Sequence, residues 1–125
     1  MSRPMKILIM GLPGSGKTWL AERLQKHLNC AWFKADESRR MANDWEFSNE
    51  ARIRLARRMR NEANFEKAEG RTVIGEFVCP TQMTRRICEA DLTIRMDTIE
   101  EGRVEDTNKV FERPAEVDLH IDRFI

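Results

Sequence analysis

Residues 11–18 read Gly11-Leu12-Pro13-Gly14-Ser15-Gly16-Lys17-Thr18, a complete G-x-x-x-x-G-K-[ST] phosphate-binding loop. Glycines at these positions let the backbone curl so that successive N–H groups point inward at a β-phosphate. The start of the following helix adds partial positive charge. Lys17 would reach the β- and γ-phosphates, and the Thr18 hydroxyl would hold Mg²⁺. The alternative is a glycine turn that binds nothing. Context argues against it: an apolar run, Met5 to Met10, precedes the loop, and a helix-forming stretch, Trp19 to Leu28, follows it.

Two carboxylates stand where such a loop needs them. Asp36 follows a predicted strand, with Arg39 three residues on. It either binds Mg²⁺ and steers an attacking hydroxyl or caps the next helix, roles that are compatible. Glu76 ends the run Thr72-Val73-Ile74-Gly75-Glu76 and is either a metal-positioning acid or a solvated strand end. Cationic candidates are more numerous. Arg52, Arg54, Arg57, Arg58 and Arg60 share one predicted helix, either as an anion-binding stripe or as a solvated face. Arg85, Arg86 and Arg103 are candidates to neutralise a transferring phosphoryl group. Phe47 lies in a polar loop, where it would stack on a base or staple the helix start. Asn108-Lys109-Val110-Phe111 invites a guanine-binding reading, but Phe111 stands where that motif needs an acid, and a GTPase is rejected.

The elements that must hold these residues alternate. Strands are expected at 5–10, 31–35, 71–77, 92–97 and 119–121. Helices are expected from 19 to about 29, over 36–43, from a Ser48 cap to about Glu69, and over 81–89. Residues 98–114 carry no clear pattern. Alternation implies an α/β fold: three layers, α/β/α, around a mostly parallel sheet of about five strands with right-handed crossovers. In such sheets ligands sit beyond the carboxyl ends of the strands. That rule gathers the loop 11–18, Asp36, the segment 76–80 beginning at Glu76, and the 97–98 turn onto one rim.

Composition bounds the rest. With 125 residues the chain is expected to be one domain, 1–125. Hydrophobic residues make up 41%, enough for a packed core, and 34% are charged. Lys and Arg number 22 against 21 Asp and Glu, a net charge of +1, so no global field attracts nucleic acid or a membrane. Cys30, Cys79 and Cys88 have no metal-ligand spacing and suggest reduced thiols in the cytoplasm. Neither a secretory leader nor a membrane span is expected.

Together these pieces resemble the adenylylsulfate kinase family, P-loop enzymes that phosphorylate the 3′-hydroxyl of adenosine 5′-phosphosulfate with MgATP. The loop Gly-Leu-x-Gly-Ser-Gly-Lys-Thr is similar in sequence and place. Ala35-Asp36-Glu37-Ser38-Arg39 resembles that family's Gly-Asp-x-x-Arg. Asp44-Trp45-Glu46-Phe47-Ser48 with Arg52 resembles its Asp-Leu-Gly-Phe-Ser…Arg segment, and Arg57-Arg58 its later Arg pair. Val78-Cys79-Pro80 with Arg85 falls where the family has Ile-Ser-Pro…Arg. Phe111-Glu112-Arg113-Pro114, then Asp118-Leu119-His120-Ile121-Asp122, resemble its C-terminal Tyr-Glu-x-Pro…Asp-Leu-x-Ile-Asp.

The resemblance implies catalytic Lys17, Asp36 and Arg39, with ATP held by residues 11–18. It implies an acceptor site formed or supported by Asp36, Arg39, Phe47, Arg52 and Ile121, and magnesium at Thr18, Asp36 and Glu76. A homodimer is compatible with it, although no apolar helix face demands one. Departures fall mainly in the acceptor half: Lys34 for an Asp, Leu55 for an Asn, Cys79 for a Ser, and Thr81-Gln82 for Tyr-Arg. The stretch between Asp97 and Phe111 is also too short for the family's basic lid, and its second adenine-stacking Phe is missing. The expected function is adenylylsulfate kinase. The alternatives are a kinase for another small hydroxyl or a polynucleotide 5′ end, and a nucleotide-binding module of weakened catalysis.

Overall fold

A computed structural model of the chain describes residues 3–46, 48–100, 102, 105–114 and 116–123. Its centre is β1 (Lys6–Met10), five consecutive buried residues. A strand covered on both faces needs such an unbroken run. Leu8 and Met10 pack into one core, with Leu55, Ala56 and Met59. Ile7 and Ile9 pack into the other, with Ala21, Ile74 and Ile94. The period of two along β1 thus feeds both sides of the sheet.

The strands follow in the order β2 (Ala31–Lys34), β3 (Val73–Glu76), β1, β4 (Leu92–Met96) and β5 (Leu119–Ile121), and all pairs are parallel. Helix α1 (Lys17–Leu28) covers one face; α3 (Asn49–Ala68) and α4 (Gln82–Cys88) cover the other. This is the three-layer α/β/α fold that alternation implies. Among the described residues no helix is long and apolar enough to cross a membrane.

Local chemistry sets the element ends. Ser48 caps α3 by accepting from the Ala51 N–H at 3.2 Å. The Thr81 hydroxyl accepts from the Thr84 N–H while the Thr84 side chain accepts from the Thr81 N–H, a reciprocal cap on α4. Two details differ from the sequence-based expectation. Helix α2 (Ala35–Ala42) starts straight out of β2 with Lys34 at its cap, so Asp36 sits in the first turn rather than capping it. Within the unpatterned stretch lies α5 (Glu105–Val110), whose six residues are too few to show a helical period.

Candidate active site

The phosphate loop joins the carboxyl end of β1 to α1. Helix α1 has no side-chain cap: Gly16 precedes it at φ 98°. A helix start left open in this way presents unsatisfied N–H groups, which is what an anion seeks. The loop is tightly held from behind. A Cβ on Gly11 would lie 2.5 Å from the Met96 carbonyl oxygen and 2.7 Å from Ser15 Oγ. Ser15 Oγ is buried and makes no hydrogen bond among the described residues. Lys17 is 8% exposed and folds back to donate to the Leu12 carbonyl at 3.0 Å.

The loop opens into a cleft of about 880 Å³ whose walls include Pro13, Gly14, Gly16, Lys17 and Thr18 from the loop. Asp36, Arg39, Arg52 and Glu76 line the same cleft. The topological rule therefore brings together most of the residues singled out from sequence. Gly11, Leu12 and Ser15 lie behind it as the loop's buried floor. Ile121 is not brought to the cleft: it lies on β5 and packs against the core beneath α1. Phe47 and Arg103 lie outside the described residues.

Glu76 is the acid best placed for a metal. The Thr18 hydroxyl donates to its Oε1 at 2.6 Å, and the Trp32 indole N–H donates to its Oε2 at 3.2 Å. A hydroxyl and a carboxylate side by side at a phosphate loop are hard oxygen donors of the kind Mg²⁺ takes from protein while keeping water and phosphate as its other ligands. The residues present therefore fit that ion. The Asp36 carboxylate is 94% exposed and pairs with Arg39 at 3.6 Å, rather than with Thr18 or Glu76. Burial lowers the Arg39 pKa from its ordinary value, Asp36 and Asp44 oppose that, and Arg58 adds to it. Arg52 is 5% exposed in the cleft wall.

Two arginines of the stripe on α3 have another occupation. Arg54 grips Asp44 with two hydrogen bonds, 3.0 and 3.1 Å. Arg58 donates to Asp44 at 3.3 Å and to Ser38 at 3.0 Å. These two arginines staple the loop after α2 to α3, and Arg52 is the member of the stripe that lines the cleft. Arg54, and then Arg58, hold the Asp44 carboxyl at about 2, well below its ordinary value. A lowered carboxyl pKa contributes stability that is complete above the ordinary value and disappears as pH falls through the lowered one. Asp44→Asn is accordingly expected to melt below the wild type at neutral pH. The gap should close between about pH 4 and about pH 2 in thermal melts. A gap that persists unchanged at pH 2 refutes the assignment.

Arg85 is likewise committed. It donates to the Cys79 and Pro80 carbonyls, each at 3.1 Å, and to the Glu112 carbonyl, and it lies over the Phe111 ring. It anchors the segment after α5 instead of facing a phosphate. Arg86 is exposed on α4.

Sequence reasoning missed two features. Trp32 is one; its alternation with Lys34 on an edge strand is the signal that would have placed it beside Glu76. The other is how the turn after β4, expected on the same rim, braces the loop. The Thr98 hydroxyl donates to the Ser15 carbonyl at 2.8 Å. Gly102 lies so close to Pro13 that a Cβ would come within 2.8 Å of its ring. The Asn108 side chain closes the turn by accepting from the Gly102 N–H at 2.7 Å and donating to its carbonyl at 2.9 Å. No periodicity announces such a brace.

Comparison with known proteins agrees with this geometry. No curated protein matches the chain. Among solved structures, the chain is similar to one described as APE1195, at 26% identity and TM-score 0.80, over 98% of this chain and 87% of that one. It is similar to the adenosine 5′-phosphosulfate (APS) kinase CysC of Mycobacterium tuberculosis in complex with AMPPNP and APS, at 19% identity and TM-score 0.82, over 98% and 90%. A sugar kinase from Janibacter sp. HTCC2649 matches at 17% identity and TM-score 0.75, over 95% and 85%. These likenesses show a shared fold, in keeping with the three-layer arrangement of this chain. The AAA domain family (AAA_18) matches residues 7–105, and the chain belongs to that family.

Proposed function

We propose that this chain is an ATP-dependent small-molecule kinase that transfers the γ-phosphoryl group to the 3′-hydroxyl of adenosine 5′-phosphosulfate. The observation that carries the reading is one cleft joining a complete phosphate loop and its Thr18–Glu76 pair to Asp36, Arg39 and Arg52. Donor and acceptor halves thus share a single opening, as direct transfer requires.

Thr18 and Glu76 would hold magnesium, which would supply charge neutralisation at the phosphates. The chain's own residues do the remainder. Lys17 exchanges the Leu12 carbonyl for the β- and γ-phosphates and draws off charge as the γ-group leaves. Asp36 orients the acceptor hydroxyl and takes its proton, with Arg39 beside it as its ion-pair partner. Arg52 binds the acceptor's anionic group. Catalysis is positioning and electrostatics, with no covalent enzyme intermediate.

A second reading, a kinase for a different small hydroxyl such as that of a sugar, is favoured by Leu55 and Lys34. Leu55, 2% exposed, is an apolar part of the cleft wall where the adenylylsulfate kinases have an Asn. Lys34 is drawn onto the Trp32 ring, 4.2 Å from its centroid, where they have an Asp. A screen with γ-labelled ATP against adenylylsulfate, sugars and a polynucleotide 5′-hydroxyl decides between them. Label on adenylylsulfate is expected; label on another acceptor with none there overturns the first reading, and ATP bound but transferred to none establishes a binding module. The shortened lid also predicts ATP hydrolysis without acceptor, because water is less completely excluded. No acceptor-free phosphate release counts against that consequence.

A further inference from the structure

We propose that Trp32 is a positioning residue for Glu76: it sets the orientation of the metal-facing carboxylate and keeps a neighbouring cation away from it. The inference rests on the reading of Thr18 and Glu76 as the magnesium site.

Register makes the argument. On the sheet edge, Lys34 of β2 lies directly opposite Glu76 of β3, and Trp32 lies opposite Ile74. Side chains two apart share a face, so Trp32, Lys34 and Glu76 crowd together. Opposite charges facing each other across strands normally pair. Here they do not. The Lys34 ammonium sits over the Trp32 ring, 4.2 Å from its centroid. The same indole donates its N–H to Glu76 Oε2 at 3.2 Å, while Thr18 donates to Oε1 at 2.6 Å.

One side chain therefore does two things. Its ring face holds the ammonium that would otherwise neutralise Glu76 and compete with a divalent cation. Its N–H fixes the far carboxylate oxygen, so that the near one stays with Thr18. Thr18 gives its one hydroxyl hydrogen to Oε1 and retains lone pairs for a cation. Groups that orient metal ligands in this manner typically change metal affinity about 10–100-fold when removed.

The test is equilibrium binding of fluorescent ADP to the full chain, with Mg²⁺ and with EDTA. In Trp32→Phe, which keeps a ring for Lys34 and loses the donor, the enhancement of ADP affinity by Mg²⁺ should fall about tenfold, while affinity in EDTA stays unchanged. Adding Trp32→Phe to Glu76→Gln should cause no further loss. An unchanged enhancement overturns the proposal. So does an equal weakening in EDTA, which a mere packing role would produce. If Trp32→Phe does not fold, benzothienylalanine at position 32, an isostere without the N–H, replaces it with the same expected result. A wild-type chain that binds no ADP, or binds it equally with and without Mg²⁺, overturns the underlying magnesium reading and this proposal with it. That outcome needs no variant, so the two failures are distinct.

Discussion

Lys17→Ala should reduce phosphoryl transfer by about 10²–10³ or more, the usual cost of removing one charge-stabilising donor from a transition state. The size follows from what the loop can and cannot do alone. Backbone N–H groups and the start of α1 recognise phosphate in the ground state as well as in the transition state, so they set affinity more than rate. Lys17 is the loop's full charge, and on the proposed reading it would reach the oxygens on which charge develops. The substitution should not unfold the protein. Lys17 is buried against a carbonyl, and its removal takes a cation out of a poorly solvated place. Turnover measured beside a thermal melt separates the two effects. A variant within tenfold of wild-type turnover would refute the role. Lys17→Arg should not restore the rate, because a planar fork does not occupy the place of a compact ammonium.

Gly11→Ala should be the most damaging single-methyl change in the loop. The added carbon would lie 2.5 Å from a β4 backbone oxygen and 2.7 Å from Ser15 Oγ, at a φ of 153°. A backbone oxygen cannot turn aside like a side-chain tip, so β1 and β4 must part or the loop must lift. Overpacking and a backbone angle suited to glycine together cost roughly 2–6 kcal/mol. A chain of this size would then melt on the order of 10–20 °C lower. ADP binding should be lost as well, since the N–H groups no longer converge. Gly70→Ala is the control. Gly70 also has positive φ, 84°, but nothing lies within 4 Å of the added carbon. It should cost only about 1–2 kcal/mol and leave ADP affinity alone. Equal melting temperatures for the two variants would show that the close approach at Gly11 carries no weight.

What could be read in advance follows from what leaves a periodic or local trace. The β1 run, the glycine loop and the Ser48 cap are local patterns, and each reappears where its residues predict. The gathering of the loop, Asp36 and Glu76 into one cleft was legible because a parallel sheet forces strand ends to one rim. Partner choice was not. Arg52, Arg54 and Arg58 look alike along α3, yet Arg52 lines the cleft while Arg54 and Arg58 turn to Asp44, because the loop after α2 brings that acid across the helix. Arg85 reads as a phosphate ligand until three carbonyls are seen to converge on it. Ile121 matches a motif, but two strands, β1 and β4, separate β5 from β3, and its side chain packs against the core. In each case the deciding contact is long-range and aperiodic.

The central place of β1 has a consequence for the making of the protein. Ile7 faces Ile74 on one side and Leu92 on the other, partners 67 and 85 residues away. Synthesis proceeds from the amino terminus, so the most apolar strand emerges first and waits longest. Among the loop's last supports, Thr98 emerges 83 residues after the Ser15 that it braces. The loop that follows the first strand is thus braced only by residues at and after the fourth. Non-local pairing of this kind folds slowly and leaves a bare strand open to self-association meanwhile. The loop's packing is therefore complete only once β4 has joined the sheet.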